Sequence, residues 1–333
     1  TGTLARISGK QPGRTILLRG DIDALSVKEE TGLPYASTNP GVMHACGHDC
    51  HISMLLTAVH MIHDIQDQLK GTVVFAFQPA EEIGRGAQSM IAEGALEGVD
   101  ACFGMHVWSD VAAGKVAMRK RAMMASGDRF KVKVIGKSGH GAQPQRAVDA
   151  VVMGAAIVQN LQSLVSRELD PIDTAVVTVG KFTGSTRFNV IAGTAELEGT
   201  TRAFNPEVRN SFAERITRIA KSTAEAMRGT AEVEYEYLVP VTINDPKMID
   251  VAAGAAKKIF GEDGVLEAPQ MMGGEDFSYY QEKIPGAMVL LGVRNEALGA
   301  VWPQHHGCYR VDESVLVKGA ALHVQTALDF LGV

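Results

Sequence analysis

The stretch Gly41-Val42-Met43-His44-Ala45-Cys46-Gly47-His48-Asp49-Cys50-His51 packs three His, two Cys and one Asp between His44 and His51. Thiolate, imidazole and carboxylate are the groups that hold zinc and its neighbours. Cys46 and His48 are two apart and point the same way in an extended segment. His48 and His51 are three apart and share a face if a helix begins here. The apolar run Ile52-Ser53-Met54-Leu55-Leu56-Thr57-Ala58-Val59-His60-Met61-Ile62 follows, so the stretch reads as a loop delivering ligands at the N-terminus of a buried helix. The competing reading is a Cys46–Cys50 disulfide or a chance cluster. Only four Cys in the chain and no targeting pattern in Thr1 to Lys10 point to a reducing, cytoplasmic setting.

Outward from this loop, the flanking strands end in chemistry. Thr15-Ile16-Leu17-Leu18-Arg19-Gly20-Asp21-Ile22-Asp23 reads as a buried strand closing on two acids that share a face. Acids at the carboxyl end of a strand in an open α/β sheet sit where ligands usually bind, although Asp also caps turns. Gly71-Thr72-Val73-Val74-Phe75-Ala76-Phe77-Gln78-Pro79 is a second such strand, followed by Glu81-Glu82. Adjacent carboxylates repel and raise one another's pKa. A cation resolves the conflict if one carboxylate ligates it and the other stays free as a base; a helix N-terminus is the alternative. Ala101 to Trp108 is a third strand with His106 near its end. A lone strand His is ordinarily structural, but here it joins the other two strand ends.

At 333 residues the chain suits two domains. A hydrophobic fraction of 46% with 21% charged residues reads as globular, and a net charge of −6 leaves no basic footprint for nucleic acid. No apolar run reaches the ~18–20 residues that span a bilayer. The expected fold class is α/β. A catalytic domain over 1–114 and 240–333 is interrupted at 115–239 by strands and helices in the order β-α-β-β-α-β, a ferredoxin-like split βαβ sandwich. Within that insert, Phe130 to Ile135 alternates, a long helix covers 147–168, and Asn205-Pro206-Glu207 opens another helix by N-cap and Pro at the first helical position. Late in the chain, Met271-Met272-Gly273-Gly274-Glu275-Asp276-Phe277-Ser278 reads as a Gly-rich turn whose acids cap a short helix. Trp302-Pro303-Gln304-His305-His306-Gly307-Cys308 offers two adjacent His, of which one can be a ligand because successive side chains diverge.

Together, Gly41 to His51, Gln78-Pro79-Ala80-Glu81-Glu82, Gly104-Met105-His106-Val107 and Gly273-Gly274-Glu275-Asp276-Phe277 resemble the motif set of the metal-dependent amidohydrolases that include hippurate hydrolase, N-acyl-amino-acid deacylases and indole-acetyl-amino-acid hydrolases. The resemblance implies a zinc-peptidase-like α/β catalytic domain with an inserted lid that dimerises. It implies Cys46, His48, Glu82, His106 and His305 as ligands of one or two divalent ions (zinc, manganese, cobalt or nickel). Counting back from Asp312-Glu313 favours His305 over His306. Glu81 is the implied general base, Asp23 the acid that orients the site, and Asp21 is not counted as a ligand. In the insert, Gly136-Lys137-Ser138-Gly139-His140-Gly141 resembles the lid motif, with His140 facing the developing oxyanion, in dimeric relatives that of the neighbouring subunit. Asn189 and Arg202 resemble groups that hold the acyl oxygen and the amino-acid carboxylate. The implied activity is hydrolysis of an N-acyl amino acid, hippurate-like or N-acetylated, to a carboxylic acid and a free amino acid. A dipeptidase or an N-acetyl-diaminopimelate deacetylase would use the same chemistry, and a non-catalytic metal-binding protein would lack a use for Glu81.

Overall fold

The computed structural model describes residues 2–333; Thr1, the first residue of the Thr1 to Lys10 stretch read above, lies outside the described residues. The chain divides into two compact units. Unit 1 takes the residues up to Met123, Thr242–Gln270 and Glu275–Val333; unit 2 takes Met124–Val241 and Met271–Gly274.

In chain order, unit 1 opens with β1 (Thr3–Ser8), β2 (Gln11–Asp21), α1 (His48–Asp64), β3 (Lys70–Gln78), α2 (Gly86–Ala92), β4 (Ala101–Ala112), β5 (Val116–Met118) and β6 (Arg121–Met124). Unit 2 holds β7 (Gly127–Ile135), β8 (Gly139–His140), α3 (Ala150–Ser163), β9 (Ala175–Gly184), β10 (Val190–Ile191), β11 (Thr194–Ala203), α4 (Pro206–Ala226) and β12 (Thr230–Val239). Unit 1 resumes with β13 (Thr242–Asn244), α5 (Pro246–Phe260), β14 (Val265–Glu267), α6 (Ser278–Gln281), β15 (Gly286–Arg294) and α7 (Leu316–Leu331).

The sheet of unit 1 runs β1-β3-β2-β4-β15-β5-β14. Its centre is parallel: β2 pairs with β3 and β4, and β15 with β4. Such strands are covered on both faces and read as unbroken apolar runs; Ile16, Leu17 and Leu18 are all fully buried. Helices α1, α5 and α7 supply Met54, Leu55, Ala252, Leu322 and Phe330 to the same core. Truncating Leu55 to Ala there would cost ~2–5 kcal/mol. The expected boundary at 114 falls too early, because β5 already pairs with β14 and β15 in this sheet. The strand carrying His106 also runs on to Ala112, so His106 lies inside it rather than near its end.

The sheet of unit 2 runs β12-β7-β11-β9 with every neighbour antiparallel, the split βαβ arrangement. Alternation puts Phe130, Val132 and Val134 into a core with Ile157 of α3 and Phe212 and Ile216 of α4. Asp149 caps α3 by accepting from Val151 and Val152 N–H, and Asn205 caps α4 by accepting from Glu207 N–H at 2.9 Å. The long helix expected over 147–168 therefore starts only at Ala150, and it passes into a π-turn at Leu164–Glu168. Among the described residues, no helix is long and apolar enough to cross a membrane.

Candidate metal centre

Three chain segments converge in unit 1. Gly47 precedes α1 at φ 84°, and a Cβ there would meet Val107 Cγ2 at 2.5 Å, so only glycine lets the loop turn into the helix against β4. The turn puts His48 and His51 on the first helical turn with rings stacked 5.4 Å apart. Past the end of β3, Ala80 adopts φ 60°, and its carbonyl accepts from Arg85 and Gly86 N–H, which presents Glu81 and Glu82 to the same space. From the late loop, His305 sits at φ 67°, held by donation of its N–H to Ala45 O at 2.7 Å. Non-glycine residues at positive φ collect where surroundings over-determine them, commonly at functional sites.

Ligand-type atoms of Cys46, His48 and His106 lie within 4.8 Å of one another, as do those of Cys46, Glu82 and His305 and those of His48, Glu81 and Glu82. His48 Nδ1 bonds Asp23 Oδ1 at 3.1 Å and His106 Nδ1 donates to Val107 O at 2.6 Å, which leaves Nε2 of each ring for a metal, that of His48 once its proton is lost. Asp23 Oδ2 also accepts from Glu82 N–H at 3.0 Å. His48 Nε2 and Glu82 Oε1 are buried with no hydrogen-bond partner. Unpaired buried polar atoms are costly, and a divalent cation with thiolate, imidazole and carboxylate donors satisfies both, so the residues fit a metal. His305 Nε2 is 3.5 Å from Glu82 Oε1, whereas His306 is turned away, stacked on Trp302 at 4.3 Å with its Nδ1 accepting from Cys308 N–H.

The electrostatics follow from burial. Burial opposes charge on His48, but Asp21 and then Asp23 overcome it and lift the imidazole to about 9. Burial, then Glu82 and Glu81, push the Cys46 thiol up. Burial and the carboxylates of Glu275, Asp276 and Asp21 hold Glu81 well above the usual carboxylate range, the direction a general base near neutrality needs. For Asp23, burial is outweighed by the hydrogen bonds from His48 and the Glu82 amide, and its pKa is lowered. All four cysteines are free thiols, Cys46 and Cys50 included, so the disulfide alternative is not realised.

Beneath the cluster lies a group the sequence reading passed over. Arg19, 1% exposed, donates to Asp21 Oδ2 at 2.8 Å, to Glu275 Oε1 and Asp276 Oδ1 at 2.9 Å each, and to Gln78 Oε1 at 3.0 Å. Gln78 Nε2 and Ala87 N–H complete the contacts of Asp276. Glu275 and Asp276 are thus not simply a helix cap: they are buried counter-charges for Arg19, with only Glu275 also accepting from Phe277 N–H. A cation directly after the apolar run Ile16-Leu17-Leu18, within a strand that reads as buried, was the available signal, since a buried guanidinium must find carboxylates.

Three expected site residues lie in unit 2. His140 and Asn189 are neighbours: His140 pairs with Val190, and Gly141 N–H donates to Asn189 O at 2.9 Å. His140 Nδ1 accepts from Ala142 N–H at 3.0 Å, so the neutral ring carries its proton on Nε2 and both it and Asn189 are exposed. Arg202 lies at the other end of the sheet, beside Gly127, donating to Thr201 O at 2.9 Å and Met272 O at 3.2 Å. The length of β7, roughly 25–30 Å at 3.3 Å per residue, separates the two groups.

Comparison with known proteins agrees with this architecture. The chain is 39% identical to an N-acetyl-L-cysteine deacetylase of Bacillus subtilis, over 98% of this chain and 77% of that protein. It is 37% identical to thermostable carboxypeptidase 1 of Saccharolobus solfataricus, over 99% of this chain and 84% of the other. A crystal structure described as a dinuclear metal-binding peptidase from the M20 family, from Bacillus subtilis, superposes with a TM-score of 0.87 at 35% identity, covering 100% of this chain and 85% of that one. Residues 17–329 match peptidase family M20/M25/M40, and the chain belongs to that family of metal-dependent hydrolases of linear amides.

Proposed function

We propose that the protein hydrolyses the amide bond of N-acyl amino acids at this cluster, with Cys46, His48, Glu82, His106 and His305 holding one or two divalent ions. Zinc, manganese, cobalt and nickel all suit such donors. The observation that carries the reading is the unfinished donor set: His48 Nε2 and Glu82 Oε1 without hydrogen-bond partners beside Cys46, with Glu81 next to them. A deacetylase relative supports the substrate class.

A divalent ion held by these residues would supply Lewis acidity toward the amide carbonyl and the attacking water. Glu81 accepts the proton of that water and returns it to the leaving amine; its raised pKa places it where both transfers are feasible. Asp23 holds the His48 ring through Nδ1. His140, with its proton on Nε2, donates to the oxyanion, and Asn189 holds the acyl oxygen. Arg202, whose pKa burial lowers and which has no carboxylate partner among the described residues, takes the substrate carboxylate. His140 and Arg202 stand a strand's length apart in one chain, so a small substrate touched by both draws them from two chains. That separation supports a homodimer joined through unit 2, which serves as the lid. Four free thiols support a cytoplasmic setting.

The test is release of primary amine from N-acetyl amino acids, hippurate, N-acetyl-diaminopimelate and dipeptides, with added manganese or zinc and with chelator. Chelator-sensitive release from N-acyl amino acids is expected. The carboxypeptidase relative makes peptides the second reading, and release confined to dipeptides would replace the substrate class. No release from any of them with metal present would overturn the enzymatic reading.

A further inference from the structure

A continuous set of contacts runs from Arg19 to the ring of His106 through groups the proposed reaction does not use. Arg19 Nη1 donates to Asp21 Oδ2, and the other oxygen of Asp21 bonds His51 Nδ1. Across the ring, His51 Nε2 accepts from the Val107 amide at 2.9 Å. The carbonyl of the same residue accepts from His106 Nδ1 at 2.6 Å and from Gln304 Nε2 at 3.1 Å. Backbone groups fix the direction of each bond. An amide N–H can only donate, so His51 Nε2 holds a lone pair and its proton is on Nδ1, given to Asp21. A carbonyl can only accept, so His106 carries its proton on Nδ1 and turns its Nε2 lone pair toward Cys46 Sγ, 3.5 Å away. The His51 and His106 rings also meet edge to face at 4.6 Å. His51 is 1% exposed and both its nitrogens are occupied, so it has no lone pair left for a metal although it lies among ligand-type atoms with Asp21 and His48.

We propose that His51 is a positioning residue: held between Asp21 and the Val107 N–H, it fixes the residue whose carbonyl sets the tautomer and aim of His106, without ligating metal itself. The proposal rests on the reading of His106 as a ligand, and the experiment separates the two. Chelator-stripped protein is titrated with cobalt(II), following affinity by competition, ion stoichiometry at saturation and the visible d–d spectrum, with thermal stability as a separate readout.

Two amide side chains divide the roles of the ring. Gln places an acceptor where Nε2 meets Val107, and Asn places a donor only where Nδ1 meets Asp21. The expectation is that His51→Asn weakens cobalt about 10–100-fold and alters the spectrum, as loss of a group supporting a ligand does. His51→Gln stays nearer to wild type on both readouts, and stoichiometry at saturation is unchanged in each. Equal affinities and spectra for wild type and His51→Asn would overturn the proposal, as would a drop in stoichiometry, which would make His51 a ligand. If His51→Asn does not fold, His51→Ala takes its place with the same expectation. His106→Ala tests the underlying assignment: unchanged cobalt affinity there would remove His106 as a ligand whatever His51 does.

Discussion

Each unit buries an arginine against carboxylate, and the two clusters are finished to different degrees. In unit 2, Asp128, 1% exposed, accepts from Arg209 Nε and Nη2 at 2.9 Å each, from Leu238 N–H at 2.9 Å and from Tyr235 Oη at 3.2 Å. Both oxygens of the acid are occupied by donors. In unit 1, Arg19 serves Asp21, Glu275 and Asp276, Glu81 adds a further acid, and His48 Nε2 and Glu82 Oε1 are left without hydrogen-bond partners. A polar network that only stabilises a fold closes on itself. One that leaves excess negative charge and unused lone pairs on inward-facing atoms is built around something else, here a cation and a reacting water.

The sharpest way to break this contrast is to change Glu81. Glu81→Gln keeps size and removes the proton acceptor, so turnover should fall by about 10²–10⁴ with metal content and melting temperature near wild type; near-normal turnover in a steady-state assay would end the assignment. Next come the two arginine clusters. Asp128→Ala leaves Arg209 without its bidentate partner and should cost ~3–5 kcal/mol in denaturant unfolding, with metal affinity unchanged. Arg19→Met should cost a similar ~3–5 kcal/mol but, unlike Asp128→Ala, should also alter metal affinity in a competition titration, since Asp21 loses its anchor. If both changes left metal binding untouched, the distinction between the clusters would lose its functional side.

A smaller effect is set by pH. Without metal, His48 holds its proton up to about 9, and a ligand must be neutral to bind. Metal uptake below that pH expels the His48 proton, together with the proton of the Cys46 thiol that burial keeps on. Apparent affinity should therefore fall as pH drops, by at least about tenfold per unit from pH 8 to pH 6; calorimetry in buffers of different ionisation enthalpy should detect the released protons. The smallest change is expected at an exposed pair. Lys10 and Asp67 meet at 2.6 Å with both side chains mostly in water, and Lys10→Ala should shift stability by less than ~1 kcal/mol.

What the sequence disclosed and what it withheld divide along the same physical line. The ligand loop, the acid pair after β3 and the caps of α3 and α4 are local: Asn205 and Pro206 specify the start of α4 without help from the rest of the chain. The Arg19 cluster is not local. Its bond to Glu275 joins residues 256 positions apart, and within Gly273-Gly274-Glu275-Asp276 nothing distinguishes a helix-capping acid from a buried counter-charge. What sets His305 apart from His306 is a backbone angle and a stacking partner, neither of which is visible in the spacing of two adjacent histidines. The role of His51 was hidden for the same reason, since its partner on one side is a backbone amide.

Everything proposed for unit 1 depends on its cluster holding a divalent metal through the Cys46 thiolate. The most direct test is titration of chelator-stripped wild type and Cys46→Ala with zinc, with folding of both verified by circular dichroism. Saturable, tight uptake with proton release is expected of wild type, and a large loss of affinity of a folded Cys46→Ala. Equal affinity and stoichiometry in the two proteins, or no uptake by wild type, would contradict that expectation.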